Sequence, residues 1–479
     1  MMTSSETTTS RFDPAEHLDR LLAGTGLSAA SAGGAVTFTG SDPILASRLR
    51  LGACIGIPIM GGAVASAALW TLRTGHSQDL ALDLRQAIHG ITPQAFWNPT
   101  LNGEPAPMPL VFDNPFQLDS YRTRDGRTIM ASAVYPHQAA GWCRFLDVPP
   151  DHGRVAQAIA QWEADSLEDA ANAAGLPACI VRTAGEWAAH PQGRWLAAHP
   201  VIALERTGDA APRHLPPAPR PLDGIRVLSF THAVAGPVVG RTLAEQGADV
   251  LCATRPNDYE HDFIYDEANI GSRSAYIDLA TARGRASAEE LLATASVVVG
   301  NYRPGKLEAL GLDSTDLARR HPGIITVSVS CYGNGGPWAS RGGFDMDGSA
   351  AAGLMTLEGT PDNPRLPVTA LINDFITGYM GAIGATAAIL RQAVEGGSWH
   401  VSVSLTRTAM WYLTLGLVDP AQAGTDKEHS LTDPAPYDAP SPLGQLHVLA
   451  PPVTFSRTVP TWPAPPLVPR GSSAVAWAA

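Results

Sequence analysis

Residues 225–254 read IRVLSFTHAVAGPVVGRTLAEQGADVLCAT, and their pattern decides the fold. IRVLSF (225–230) is an unbroken apolar run of strand length, GRTLAEQGA (240–248) reads as a short helix, and DVLCAT (249–254) is the next apolar strand. A strand buried on both faces loses its polar alternation and reads as such a run. The pattern repeats downstream with SAYIDL (274–279), the helical RASAEELLATA (285–295), SVVVGN (296–301) and GIITVSVSCYG (323–333). Strands alternating with helices predict an α/β fold built on a doubly wound, Rossmann-like parallel sheet.

Upstream of this region the texture differs. The stretch YRTRDGRTIMASAV (121–134) reads as a hairpin around Asp125-Gly126. Helical patterns follow it to about residue 176, which predicts a smaller α+β domain. The expected organisation is a loosely ordered segment at 1–45, a helix and strand at 46–110, the small domain at 111–204 and a Pro-rich linker at 205–220. The sheet domain then occupies 221–415, and a Pro-rich wrap covers 416–479.

Two distant segments echo each other. LRLGACIGIPIMGGAVASAAL (49–69) shares its small-residue texture with LINDFITGYMGAIGATAAIL (371–390). Beyond them, TGHSQDLALDLRQA (74–87) aligns with GGSWHVSVSLTRTA (396–409). The chain therefore reads as partly duplicated and rearranged. Only the second copy carries a carboxylate at its helix start, Asp374, where the first offers Ala53 or Cys54. Asp374 has two readings. It is a helix N-cap, worth about 1 kcal/mol, or it is an ionised nucleophile steadied by the exposed N–H groups of the helix.

Composition narrows the function. With 479 residues and a net charge of −12, the chain lacks the basic excess of a general nucleic-acid binder. Five scattered cysteines without a CxxC pair suit a reducing cytoplasm, and fourteen histidines show no metal-ligand spacing, so no metal is expected. The polar N-terminus does not read as a signal peptide. Residues 52–72 carry no charge, yet their glycines and Pro58 favour a buried helix over a membrane span. LVPRGS (467–472) matches a protease recognition sequence inside the Pro-rich tail.

Ligands of open parallel sheets bind at the carboxyl ends of the strands. The first such end, SFTHAVAGP (229–237), offers only Gly236 and Gly240, a weak dinucleotide signal. Arg255 follows the second strand, where an NAD site prefers an acid, and so suggests a phosphorylated ribose, as in NADP or coenzyme A. Arg273 and Arg303 could add charge at later strand ends. The alternative for each Arg is a solvated surface residue.

Several motifs in fixed order resemble the CaiB/BaiF family, the family III CoA-transferases. They are PLDGIRVLSFTHAVAGP (221–237), GSRSAYIDL (271–279), VVVGNYRPGKLEALGL (297–312), VSVSCYGNGGP (327–337), GGFDMDGSAAAG (342–353) and INDFITG (372–378). Residues 60–200 resemble the later part of the same family, through the TGHSQ turn, the DGR hairpin and TAGEWAAHPQGRWL (183–196). The resemblance implies that Asp374 is the catalytic nucleophile. His232, Val234 and Ala235 would lie along coenzyme A, Arg255 would meet its nucleotide end, and Ile277 to Ala280 with Asn301, Tyr302 and Arg303 would line the nucleotide pocket. Ala309 and Ser349 depart from the family pattern, which has Arg and Gln there.

The implied activity is transfer of CoA from an acyl-CoA donor to a carboxylic acid, with no permanently bound cofactor. Expected partners are acyl-CoA and a small acid, with no nucleic acid or membrane. The resemblance further implies a homodimer, or a pseudo-dimer formed within one chain. Competing readings are an acyl-CoA racemase of the same fold, a non-catalytic CoA-binding scaffold and an NADP oxidoreductase. Racemases of the fold place His before Asp as a second base, because inversion needs proton transfer on both faces. This chain has Phe344-Asp345. We therefore expect no α-proton exchange: a 2-methylacyl-CoA incubated with the protein in deuterated water should keep its proton and configuration by mass and chiral analysis.

Overall fold

The computed structural model describes residues 12–92, 95–105 and 114–478. Its centre is a seven-stranded sheet. In chain order the strands are β1 (Ala203–Gly208), β2 (Arg226–Phe230), β3 (Asp249–Thr254), β4 (Ser272–Tyr276), β5 (Val297–Gly300), β6 (Ile325–Ser330) and β7 (Ser398–Ser404). Their spatial order is β4-β3-β2-β5-β6-β7-β1. All neighbours are parallel except β7 and β1. Chain direction across the sheet reverses beside β2, so the loops after β2 and β5 diverge and leave a crevice at their carboxyl ends.

The apolar runs predicted for the strands are buried on both faces. Val227, Val250, Val297 and Val299 join one core, while Leu228, Leu251 and Val298 join another. Helices Ala282–Leu292 and Ser314–Arg320 supply Leu291, Leu292 and Leu317 to the second core. The first core is covered by three helices: α1 (Leu51–Thr74), α2 (Ala235–Ala244) and α4 (Asn373–Glu395). α3 (Asp345–Ala352) lies between the sheet and the smaller unit described below.

Small residues let these helices approach closely. A Cβ on Gly61 of α1 would lie 2.7 Å from Ile383 Cδ1 of α4. A Cβ on Gly378 would lie 2.6 Å from Val238 Cβ and 2.8 Å from the Ala235 carbonyl oxygen of α2. α1 is long and apolar enough to cross a membrane, but 89% of its most apolar window is buried inside the protein. It is a core helix here. α1 leads into the strand Gln78–Asp83 and the short helix Leu84–Ala87, and α4 leads into β7 and the helix Leu405–Tyr412. The two echoing segments thus share one helix–strand–helix order.

A separate core forms over residues 116–180. Strands Ser120–Arg122, Thr128–Ala131 and Ala178–Ile180 pair antiparallel. Phe116, Trp142 and Leu167 fill the space beneath them. The predicted hairpin is present, closed by Gly126 at φ 77°. This unit docks on α3: Ser132 Oγ donates to Asp347 Oδ1 at 2.7 Å, and Arg182 N–H donates to the Ala350 carbonyl.

Three expectations are corrected. The expected linker begins inside β1, where Leu204 and Glu205 pair with Val401 and His400. Its alternation was obscured by Glu205 and Arg206, which an edge strand tolerates because one side faces water. Within the segment expected to be loosely ordered, Pro14–Leu22 is a helix capped by Asp13 and Gly33–Thr39 is a strand paired with Gln78–Asp83. The Pro-rich wrap includes a hairpin, Pro436–Ser441 with Gly444–Leu449.

The glycine contacts generate a paired prediction. Gly378→Ala should destabilise by about 1–3 kcal/mol, because the new methyl meets the β-branched Val238 and the Ala235 carbonyl, neither of which is the far end of a flexible side chain. Gly62→Ala in α1, where a Cβ would meet nothing within 4 Å, should instead stabilise by up to about 1 kcal/mol through helix propensity. Urea unfolding of both variants checks the contrast.

Candidate active site

The first turn of an α-helix leaves backbone N–H groups without intrahelical partners. At α4 the N-cap residue is Ile372, whose side chain accepts nothing. The acceptor arrives from α3. Asp345 Oδ2 takes the N–H groups of Ile372 at 3.1 Å and Asp374 at 2.8 Å, and also that of Asn373. The Asn373 amide donates to Asp345 Oδ1 at 3.1 Å, to the Asp345 carbonyl at 2.9 Å and to Ser349 Oγ at 2.9 Å. Asp345 is 1% exposed, so its carboxylate is satisfied by protein alone.

This arrangement corrects both readings of Asp374 at the helix start. Asp374 is not the cap, because Asp345 is. Nor do the exposed N–H groups hold Asp374 ionised, because Asp345 has taken them. Among the described residues no hydrogen bond reaches the Asp374 carboxyl. Burial and the Asp345 charge push its pKa well above the ordinary carboxylate range. Burial also raises Asp345, but the N–H donors oppose that shift. Asp374 is therefore the harder member of the pair to ionise, and Asp345, with its N–H donors, the easier.

Asp374 lies one turn before Gly378 on α4, so both project to the same side. Gly378 packs on Ala235 and Val238, which places Asp374 toward the loop between β2 and α2. That loop is held tightly. Ala233 has φ 58°, and its N–H donates to Glu260 Oε2 at 2.8 Å. The His232 N–H donates to Asn301 Oδ1 at 3.1 Å, and Asn301 Nδ2 returns a bond to the His232 carbonyl at 2.7 Å. A Cβ on Gly236 would lie 2.6 Å from the Asn301 amide carbon, so glycine is needed for that clasp.

The smaller unit contributes Tyr135. Its hydroxyl is 2.8 Å from His232 Nδ1 and 3.4 Å from Glu260 Oε1. Its ring is flanked by Phe344, Tyr259 and His261. Burial, then Glu260, and more weakly Asp374 raise the Tyr135 pKa, which keeps the phenol protonated. Burial lowers His232 to about 4, so its imidazole is neutral.

The predicted binding residues divide into groups. His232, Asn301 and Tyr302 come together directly, with the Tyr302 ring 5.0 Å from that of His232. Val234 and Ala235 open α2 beside them. Arg303 donates to the Gly175 carbonyl of the smaller unit at 2.8 Å. Ile277 follows β4 and donates its N–H to Thr254, while Ala280 sits in an exposed turn closed by Asp278. Arg255 is tied to Asp258 at the surface. Arg273 is a correction. It is the second residue of β4, its guanidinium is bound to Asp249 at the start of β3, and it therefore lies at the amino end of the sheet. It does not reach the crevice. Sequence reasoning gave no site role to Asp345, Tyr135 or Glu260. Asp345 stood in plain view in GGFDMDGS, but its partners are 27–29 residues away.

Residues 222–443 match the family model for CoA-transferase family III. An acetyl-coenzyme A transferase of Hypoxylon pulicicidum is 32% identical over 297 residues, covering 58% of this chain and 49% of the relative. A probable fatty acyl-CoA transferase of Mycobacterium tuberculosis is 33% identical over 204 residues, covering 40% and 52%. A crystal structure of that mycobacterial protein, in an orthorhombic form, aligns with a TM-score of 0.39 at 32% identity, covering 41% of this chain and 58% of that one. The chain spans about half the length of the curated relatives it matches.

The carboxylate pair makes stability depend on pH. A carboxyl whose pKa is raised by folding stabilises fully below its unfolded value, near 4, and that contribution is lost as pH rises through the folded value. Asp374→Asn removes the loss. The variant should match the parent in melting temperature near pH 4.5 and exceed it at pH 8, as differential scanning calorimetry would show.

Proposed function

We propose, from the match of residues 222–443 to the family model for CoA-transferase family III, that the protein moves CoA from an acyl-CoA to a carboxylic acid through a thioester on Asp374. The observation that carries this reading is the pairing of Asp374 with Asp345. A nucleophilic carboxylate in a transferase must be basic enough to attack and must become a good acyl group afterwards. Asp345 serves both needs. Its charge raises the basicity of Asp374, and acylation of Asp374 removes the like-charge repulsion. Asp345 itself is no competitor, since its oxygens are occupied by N–H donors and closed off from the crevice.

The bonds balance without ATP or metal. Asp374 first releases its proton to solvent. An Asp374 oxygen then attacks the donor thioester carbonyl, the C–S bond breaks, and CoA leaves as thiolate from a mixed anhydride. The thiolate attacks the Asp374 side-chain carbonyl, expelling the donor acid as carboxylate and leaving an aspartyl-CoA thioester. The acceptor carboxylate runs the same steps in reverse. Energy stored in the thioester is retained throughout, so the equilibrium lies near balance.

The strand order and the crevice beside β2 support a Rossmann-like reading of the sheet, with CoA lying along His232, Val234 and Ala235. We further read α1 with its strand and helix as a partial second copy, rearranged so that the front of the chain supplies the smaller domain. The shared helix–strand–helix order supports this. A second support is that Asp42 caps α1 through the N–H groups of Gly52 and Ala53, both at 2.8 Å, much as Asp345 caps α4.

Asp374→Ala and Asp374→Asn should both lose at least about a thousandfold in transfer rate, measured with a panel of acyl-CoA donors and carboxylic acids. Hydroxylamine added with donor should convert Asp374 to a hydroxamate in the peptide mass map. An active Asn variant without any adduct would sink the proposal. Asp345→Asn should shift the acid limb of the transfer rate to lower pH, because the charge that raises Asp374 is gone. It should also cost about 1–3 kcal/mol of stability, because an amide nitrogen then faces the α4 N–H groups.

A further inference from the structure

The LVPRGS stretch packs along the edge of the sheet, with one bridge from Ser472 to Ala275. Leu467 and Val468 are buried. The N–H of Gly271 donates to the Pro466 carbonyl, and the Tyr265 hydroxyl donates to that of Val468 at 2.9 Å. Gly471 donates to Ser274 Oγ at 3.0 Å, and Ser473 N–H donates to the Ser274 carbonyl. Residues 466–478 therefore form a strap along β4, the edge strand separated from the β2–β5 crevice by β3. Gly471 sets its path: its φ is 70°, and a Cβ there would lie 2.2 Å from the Tyr276 ring.

The strap delivers Arg470 to the carboxyl end of β3. Its Nη2 donates to Thr254 Oγ1 at 2.8 Å and its Nη1 to the Asp258 carbonyl at 2.8 Å. Those bonds use two of five guanidinium N–H donors. No carboxylate among the described residues pairs with it. The neighbouring charges are committed elsewhere. Asp258 holds Arg255, Glu260 accepts the Ala233 and His261 N–H groups, and Asp278 accepts that of Ala280. Glu260 feels the Arg470 charge without pairing with it, so the remaining guanidinium donors of this half-buried cation are left for a ligand anion. In sheets of this strand order the end of the second parallel strand meets the ribose, and an arginine there suits a phosphorylated one.

Resting on the CoA-transferase reading, we propose that Arg470 binds the 3′-phosphate of the CoA ribose, so that the strap completes the nucleotide site and sets the preference for phosphorylated nucleotide. Arg255, spent on Asp258, is the lesser contributor.

Isothermal titration of the full chain with CoA and with 3′-dephospho-CoA tests this. The parent protein should bind CoA at least about tenfold more tightly, the lower range for a charge-assisted hydrogen bond. Arg470→Gln should weaken CoA about tenfold, leave dephospho-CoA within about twofold and so erase the ratio. Arg470→Lys, which keeps the charge but not the fork, should retain part of the ratio, and it decides the matter if the Gln variant does not fold. An unchanged ratio in the folded Gln variant, or in the Lys variant when that one decides, overturns the proposal. So does equal binding of the two ligands by the parent protein, and both outcomes leave the transferase reading intact. A parent protein that binds neither ligand overturns the transferase reading, and this proposal falls with it.

Discussion

One helix terminus can satisfy one carboxylate well. The N–H groups at the start of α4 are a fixed resource, and Asp345 reaches them first, from a separate helix and from a fully buried position. Everything distinctive about Asp374 follows from that. It sits in the first turn of a helix, where an acid is ordinarily favoured, yet among the described residues it has no donor, and it faces a like charge. Its raised pKa is a consequence of allocation. A single Asp at the same helix start, with the N–H groups to itself, would be ionised, hydrogen-bonded and a poor nucleophile.

That allocation depends on close helix packing. α4 can bring Asp374 toward the β2–α2 loop only because Gly378 lets its backbone approach Ala235. The loop is shaped by the Asn301 clasp and by Ala233 at positive φ, which for a residue with a side chain carries backbone strain. Glu260 fixes the strained N–H from one side, and Tyr135 reaches in from the smaller unit to touch both His232 and Glu260. The crevice is therefore assembled from three parts of the chain. Its geometry is sensitive to how the smaller unit docks on α3 through Ser132 and Asp347.

What was legible in the sequence was what is local. Buried parallel strands show as apolar runs, and β2, β3, β5 and β6 could be read within a few residues. Asp374 was visible as the one carboxylate separating two similar helices. What was not legible depends on distant pairing. The Asp345 cap, the Tyr135–His232 contact across 97 residues and the strap carrying Arg470 leave no periodic trace. Arg273 shows the cost of a small register error. Reading the strand from Ser274 hid that Arg273 already belongs to β4, whose opening residues face the amino end of the sheet. The edge strand β1 escaped because Glu205 and Arg206, both exposed, break the apolar run.

The comparison of α1 with α4 explains why only one of them carries the extra acid. Ala53 and Asp374 hold equivalent places, each being the last residue whose N–H reaches the capping carboxylate, Asp42 or Asp345. Ala53 is wholly buried, with Leu51, Cys54 and Ile55 around it at 0% exposure. An acid there would meet Asp42 in a closed apolar core, with neither solvent nor ligand to take up its charge, and such a group destabilises by several kcal/mol. Asp374 is only partly buried and lies one turn before Gly378, toward the β2–α2 loop. In the proposed reading, the same cap geometry is structural in α1 and chemically useful in α4. On that reading, what separates the two is access to a ligand, which would let the repulsion between two carboxylates be relieved by a reaction instead of by unfolding.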